Sequence, residues 1–292
     1  MKPPAFAYFA PREVEEALAL LAEHGEDARP LAGGQSLIPV LNFRLARPAV
    51  LVDLNAIESL AGIGERGGSL HIGAMVRQRE VERSPLAARV PLLAETLPHV
   101  AHPQIRNRGT MGGSLAHADP AAELPAVAVT LGARLHLRST SGARDLGARE
   151  FFSGLFSTAL APGELLVGMT FPFPAPRSGT AFEEVARRHG DFALMGAAAW
   201  VQLDDQGRCT DARLTFVNPG AGAESATQSV AALLGQAPDA AAIRAASESG
   251  AAELMITGDM HASPAYRRHL ARVLAERVLT RACTRARTPS GT

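Results

Sequence analysis

A chain of 292 residues that is 47% hydrophobic can bury a sizeable core, enough for two or three packed units, which excludes an intrinsically disordered protein. Its 29 basic residues balance 29 acidic ones, so the surface has no overall attraction for nucleic acid or anionic membranes. Two cysteines, Cys209 and Cys283, are too few for an iron–sulfur cluster or a disulfide framework.

Early prolines and acidic residues interrupt any signal-peptide core, and no apolar run approaches the roughly 18 residues of a membrane span, so a cytoplasmic protein is expected. Residues 6–9 read as a short apolar strand. Pro11 suits a first helical position, and Val14, Ala17, Leu18 and Leu21 recur at helical spacing above a face of glutamates until Gly25 stops the helix. A strand then leads into Gly33-Gly34, residues 36–45 read as a helix, and residues 49–53 as a buried strand. This alternation favours a layered α/β or α+β unit over residues 1–58.

From residue 60 the pattern changes. Ile63 and residues 70–73 suggest a hairpin across glycine-rich 64–68, with helices over 76–83, 86–97 and 121–131 and strands over 134–138 and 165–171. The last strand runs into alternating prolines at 171–176, which close a second unit over 59–176. In the third unit, 177–292, residues 181–188, 193–203 and 212–217 read as three antiparallel strands, followed by Ala- and Ser-rich helical stretches over 225–250. A last helix starts at Pro264 with Ser263 as its N-cap. Its Arg267, Arg268, Arg272, Arg277 and Arg281 lie largely off the apolar stripe, as a solvated face or a docking surface for a partner subunit.

Gly62-Ile63-Gly64-Glu65-Arg66-Gly67 matches the dinucleotide fingerprint literally, but a strand follows it where the motif requires a helix, so it reads as a hairpin turn. Leu31-Ala32-Gly33-Gly34-Gln35-Ser36-Leu37-Ile38 is the stronger candidate. There a strand ends, two glycines permit close approach, and a helix begins, so successive amides can cradle a phosphate; a plain tight turn is the alternative. No lysine follows, which excludes a Walker A loop. A second glycine-pair loop, Arg106 to Ser114, precedes His117-Ala118-Asp119-Pro120. Two such loops from separate units can close on the two phosphates of a dinucleotide. Asp119 can then serve ribose hydroxyls or cap the following helix. His102 and His117 lack metal-ligand spacing and no G-x-S-x-G elbow is present, so neither a metal site nor a catalytic residue is expected.

Ala32-Gly33-Gly34-Gln35-Ser36, taken with Asn107-Arg108-Gly109-Thr110-Met111-Gly112-Gly113-Ser114 and the stretch to Pro120, resembles the FAD-binding medium subunit of the molybdenum hydroxylases. The likeness is strongest to the aerobic carbon monoxide dehydrogenase type and runs essentially end to end. It implies an α+β chain: a two-subdomain FAD-binding fold of the vanillyl-alcohol oxidase/MurB type, then a C-terminal α+β domain. By the same resemblance, Leu31 to Ile38 wrap the pyrophosphate of non-covalent FAD, and Thr110, Met111, Gly112, Gly113 and Ser114 close it from the second unit. Asp119 and Leu166 make further contacts. Phe192 stands where the family often has a tyrosine beside the flavin, keeping the ring and losing the hydroxyl; ordinary core is the alternative. Molybdopterin and 2Fe–2S clusters belong to large and small partner subunits, as a dimer of heterotrimers. The implied activity is electron transfer from those clusters through FAD to a terminal acceptor. The rivals are a stand-alone MurB-like or diaphorase-type reductase and a non-catalytic nucleotide-binding scaffold.

Overall fold

Residues 7–53 build a parallel sheet whose middle strand comes last in the chain. In the computed structural model, which describes residues 2–220 and 222–288, β1 (Ala7–Phe9) and β2 (Ala28–Leu31) flank β3 (Val50–Asp53), both pairings parallel. Met1, Ala221 and residues 289–292 of the three expected units lie outside the described residues. Helix α1 (Val14–His24) buries Val14, Ala17, Leu18 and Leu21 under this sheet. It starts at Val14 with Glu13 in the cap position, three residues after Pro11, and ends at Gly25 with φ of 51°. Helix α2 (Leu37–Asn42) is shorter than the sequence suggests, because the chain turns at Arg44 with φ of 60°. Since β2 and β3 run the same way, the chain leaves both at one edge. The Leu54 amide donates to the Leu31 carbonyl there, setting residues 53–55 beside the first glycine loop.

The second unit is antiparallel. Strands β4 (Ile63–Arg66) and β5 (Ser69–Gly73) form the expected hairpin, its turn at Gly67 and Gly68 in the left-handed region. That geometry removes the dinucleotide reading of Gly62–Gly67. Helices α3 (Gln78–Arg83), α4 (Pro91–Thr96), α5 (Pro103–Arg106), α6 (Met111–His117) and α7 (Glu123–Leu131) follow. The expected helix over 86–97 is broken, because Pro91 starts a new one. Strands β6 (Arg134–Ser139) and β7 (Gly142–Gly147), the short helix α8 (Ala148–Phe151), a small hairpin of β8 (Phe152–Gly154) and β9 (Ser157–Thr158), and β10 (Leu165–Pro172) complete the unit. The sheet order is β4-β5-β10-β6-β7.

The third unit contains β11 (Ser178–Ala186), β12 (Ala193–Leu203) and β13 (Cys209–Val217), with a short fourth strand, β14 (Glu224–Ser225), where three were expected. Helices α9 (Thr227–Leu233), α10 (Ala240–Glu253) and α11 (Pro264–Arg287) cover it. The Ser263 hydroxyl accepts from the Tyr266 amide at the start of α11, as the cap reading requires. Of the α11 arginines, Arg267 departs from the expected solvated or docking face, while Arg268 and Arg277 stay exposed. Arg267 is buried, donating to Asp259 and to the Asn218 carbonyl; Arg268 reaches carbonyls at the end of α10; Arg277 and Arg281 pair with Glu183. Cys209 and Cys283 are buried free thiols, each pushed up to about 11 first by desolvation, so neither is a ready thiolate at neutral pH.

The three cores run into one another. Met75 and Leu165 pack in the first, and Phe182, Ala198 and Val217 of the third unit pack in the second. At that second seam two carboxylates are buried: Glu123 at the start of α7, and Glu184 on β11, whose Oε1 lies 3.3 Å from His99 Nδ1. Burial, reinforced by the neighbouring Glu184 charge, pushes Glu123 from 4.5 up to about 8, so the folded protein keeps its proton at neutral pH. The unfolded chain gives that proton up near 4.5, so folding stability falls as pH rises through the window from 4.5 to about 8. Glu123→Gln should therefore stabilise the protein by about 1–3 kcal/mol at pH 8 and change little at pH 4, as read from urea unfolding at both pH values.

Candidate functional site

The edge where β2 and β3 end carries the first glycine loop. Between Leu31 and Leu37 the chain makes no regular structure, and Gly34 holds φ of 72°, a conformation open to glycine and costly for β-branched residues. The Gln35 side chain donates to the Gly33 carbonyl at 2.9 Å, which folds the loop on itself. Among the described residues, the amides of Gly33, Gly34, Gln35, Ser36 and Leu37 donate to no protein acceptor; Ile38, bonded to the Gly34 carbonyl at 3.1 Å, is the first that does. Backbone donors left unpaired in a row are an anion cradle, and this one needs no cationic side chain.

The second glycine stretch is built differently from the loop expected of it. Thr110 caps a short helix, its hydroxyl accepting from the Gly113 amide at 3.0 Å. The other amides are also spent: Met111 on the Val76 carbonyl, Gly112 on Ala74 and Ser114 on Thr110. Met111 is fully buried in the core, and Gly112 lies where a Cβ would press on Ala74 at 2.5 Å. What α6 turns toward the first loop is Gly113, where a Cβ would come within 3.2 Å of the Ala32 Cβ. The backbone of Arg108 and Gly109 meets Gly33 so closely that a methyl group there would fall on the Arg108 carbonyl oxygen. The structure thus brings Ala32 and Gly33 together with Arg108, Gly109 and Gly113, from two separate sheets.

The remaining expected residues lie farther out. Asp119 is half-buried and accepts from the Ala121 amide at 2.9 Å, an Asx turn; the cap position of α7 is Ala122 instead. Leu166 is buried on β10, the strand beneath α6. Phe192 is 64% exposed on the turn before β12, so it is not core. Among the described residues no group of His, Cys, Asp and Glu could hold a metal, and no helix is long and apolar enough to cross a membrane. Sequence reasoning missed Asp53, Asn55 and Arg77, which lie between the two loops. The available signal was Asp53-Leu54-Asn55, polar residues leaving a buried strand beside the glycine loop.

With the geometry established, three kinds of likeness converge. Residues 4–174 match the FAD binding domain in molybdopterin dehydrogenase, and residues 180–282 match the CO dehydrogenase flavoprotein C-terminal domain. The chain is 43% identical over 288 residues to the 6-hydroxypseudooxynicotine dehydrogenase complex subunit alpha of Paenarthrobacter nicotinovorans, covering 98% of this chain and 97% of that one. It is 39% identical to the carbon monoxide dehydrogenase medium chain of Afipia carboxidovorans, covering 98% of this chain and 100% of the other. Its fold superposes on a chain of the carbon monoxide dehydrogenase of Hydrogenophaga pseudoflava with a TM-score of 0.94 at 38% identity, over 98% and 99% of the two chains.

The contact at Gly33 yields a direct test. Gly33→Ala should force the Arg108 carbonyl aside and destabilise the chain by about 1–3 kcal/mol, measured by urea unfolding, whereas Gly64→Ala, with open space around it, should cost under about 1 kcal/mol.

Proposed function

Given that the chain belongs to the FAD-binding subunits of the molybdenum hydroxylases, we propose that the unspent amides of residues 33–37 hold the pyrophosphate of FAD. The observation that carries this reading is the row of five unpaired donors, walled on its other side by the second glycine stretch. The residues fit a dinucleotide: amide donors for the anion, and glycine where backbones must approach. In this reading Leu31 to Ile38 form one jaw, and Thr110, Gly113 and Ser114 the other. Met111 and Gly112 act from behind by anchoring α6 on the carbonyls of Val76 and Ala74. Asp119, Leu166 and Phe192 complete the contacts, Phe192 by its ring alone.

Bound FAD supplies the electron chemistry, between the 2Fe–2S clusters of a small subunit and a terminal acceptor. This chain binds, orients and shields, and it contributes no acid–base residue. Substrate oxidation takes place on a molybdopterin-bearing large subunit. In support, relatives similar over their whole length are parts of complexes named for different substrates, 6-hydroxypseudooxynicotine and carbon monoxide. The same coverage favours a complex subunit over a stand-alone reductase or a scaffold. A dimer of heterotrimers in the cytoplasm belongs to the proposal, supported by two unpaired thiols that suit a reducing compartment. So do the units 1–58, 59–176 and 177–292, each centred on one apolar cluster, and the vanillyl-alcohol oxidase/MurB type of the first two, supported by a parallel and an antiparallel sheet meeting at the loops.

Purified chain should show the two visible absorption bands of oxidised flavin, and a chain that stays colourless after incubation with FAD defeats the assignment. Gly34→Val strains the left-handed turn that aims the amides, so FAD dissociation constants from fluorescence titration should rise by about tenfold or more.

A further inference from the structure

The two glycine loops belong to different sheets, and the polar contact between them passes through one side chain. The stretch 74–78 holds the second loop by backbone: Ala74 and Val76 accept from Gly112 and Met111, and the Gln78 amide donates to Gly109. It reaches the first loop only through Arg77. One arm of that guanidinium donates to the Arg108 carbonyl, the same oxygen that meets Gly33, and the other donates to Asn55 Oδ1. Asn55 in turn donates from Nδ2 to the Ala32 carbonyl at 3.0 Å, and it is fixed from below by Asp53 Oδ1, while Tyr8 donates to Asp53 Oδ2. Among the described residues, no other hydrogen bond connects residues 31–55 with residues 74–117.

The chemistry of each member suits a strap. Arg77 can only donate, so the Asn55 amide is oriented with its oxygen toward Arg77 and its NH2 toward Ala32. Burial, though it opposes ionisation, is outweighed at Asp53 by hydrogen bonds from Tyr8 and Asn55, which hold its carboxyl below the usual range and keep it an acceptor at neutral pH. A planar fork spanning two acceptors on different loops is a task for arginine; a lysine ammonium is a point charge on a flexible stem.

We propose that Arg77 is a positioning residue that sets the gap between the two loops, and thereby the affinity for FAD, acting through Asn55 and the Arg108 carbonyl. This rests on the assignment of the loops to FAD. The strap explains how two glycine loops can be preorganised, since the amide donors would otherwise be free to drift with their separate sheets.

The experiment is a double-mutant cycle on the full chain with FAD as the probe. Dissociation constants come from flavin fluorescence titration, and the melting temperature is measured on FAD-stripped protein. Arg77→Met and Asn55→Ala should each weaken FAD by about tenfold, and the double variant should be within about threefold of the weaker single, because both cut one strap. Arg77→Lys should stay within about threefold of Arg77→Met, since it keeps the charge and loses the fork. The FAD-free melting temperature of Asn55→Ala, a change on a loop at the surface, should be close to that of wild type. If Arg77→Met does not fold, Asn55→Ala decides alone. Single variants that bind like wild type, multiplicative losses in the double variant, or full rescue by lysine overturn the proposal. Failure of the wild-type chain to take up FAD overturns the functional assignment as well, so the two failures are told apart by the wild-type titration.

Discussion

The close meeting of Gly33 with the Arg108 carbonyl governs how the first two units fit together. Two sheets of different kinds, one parallel and one antiparallel, have no shared ladder to fix their separation. At the loops, contact between backbones adds to the packing of Met75 and Leu165 and to the Arg77 strap, and backbone can reach backbone only where no Cβ intervenes. Glycine at 33 serves that approach, and glycine at 34 serves the left-handed turn that points the next amides outward. The adjacent glycines therefore answer two separate demands. The second pair divides its labour in a similar way: Gly112 fits against Ala74 inside the unit, and Gly113 faces Ala32 across the gap.

Seams elsewhere are held mainly by apolar packing. Ion pairs such as Arg285 with Glu95, and Arg277 and Arg281 with Glu183, join α11 to its neighbours, but they are partly exposed and worth about 0–1 kcal/mol each. The shared cluster that takes in Phe182, Ala198 and Val217 buries several large side chains at about 1.5–3 kcal/mol apiece and outweighs them. Glu123 sits within this seam as an uncharged acid, which costs far less than a second buried carboxylate beside Glu184. The turn that presents Phe192 is joined to this seam: its Gly190 rests against the His102 ring, and Asn218, donating to the Pro120 and Ala193 carbonyls, ties the start of β12 to the α6–α7 connection.

Local signals were legible where local physics decides. The hairpin over 63–73, the buried strand ending at Asp53 and the Ser263 cap of α11 follow from turn chemistry, periodicity and capping, and all stand in the fold. The first glycine loop was legible as a strand-to-helix turn for the same reason. Helix α6 was not, because two glycines have poor helix propensity and the helix exists through the Thr110 cap and packing on Ala74. Burial of Arg267 was also hidden: its partners, Asp259 and the Asn218 carbonyl, stand 8 and 49 residues away, so periodicity counts it with the exposed arginines. The strap through Tyr8, Asp53, Asn55, Arg77 and Arg108 joins five positions with no common spacing, and only the folded chain assembles it.

Cationic side chains are one way to meet a doubly charged pyrophosphate, yet this chain balances 29 basic with 29 acidic residues. In the proposed site the groups that would meet the anion are backbone amides. Backbone amides carry partial charges that are fixed by the fold and need no counter-ion when the site is empty, so they add nothing to the net charge. Fixed dipoles are effective only if they are held in place, and that shifts the burden from charge to geometry: a left-handed glycine, a carbonyl pressed on another glycine, and an arginine spent on two neutral acceptors. Arg77 thus contributes a positive charge whose main effect is mechanical. The same logic applies to electrons. Both thiols are buried and protonated, and the single tryptophan, Trp200, lies under the Arg213 guanidinium in the third unit. Neither group lies beside the loops, which leaves the electron chemistry to the cofactor and to this chain the task of holding it.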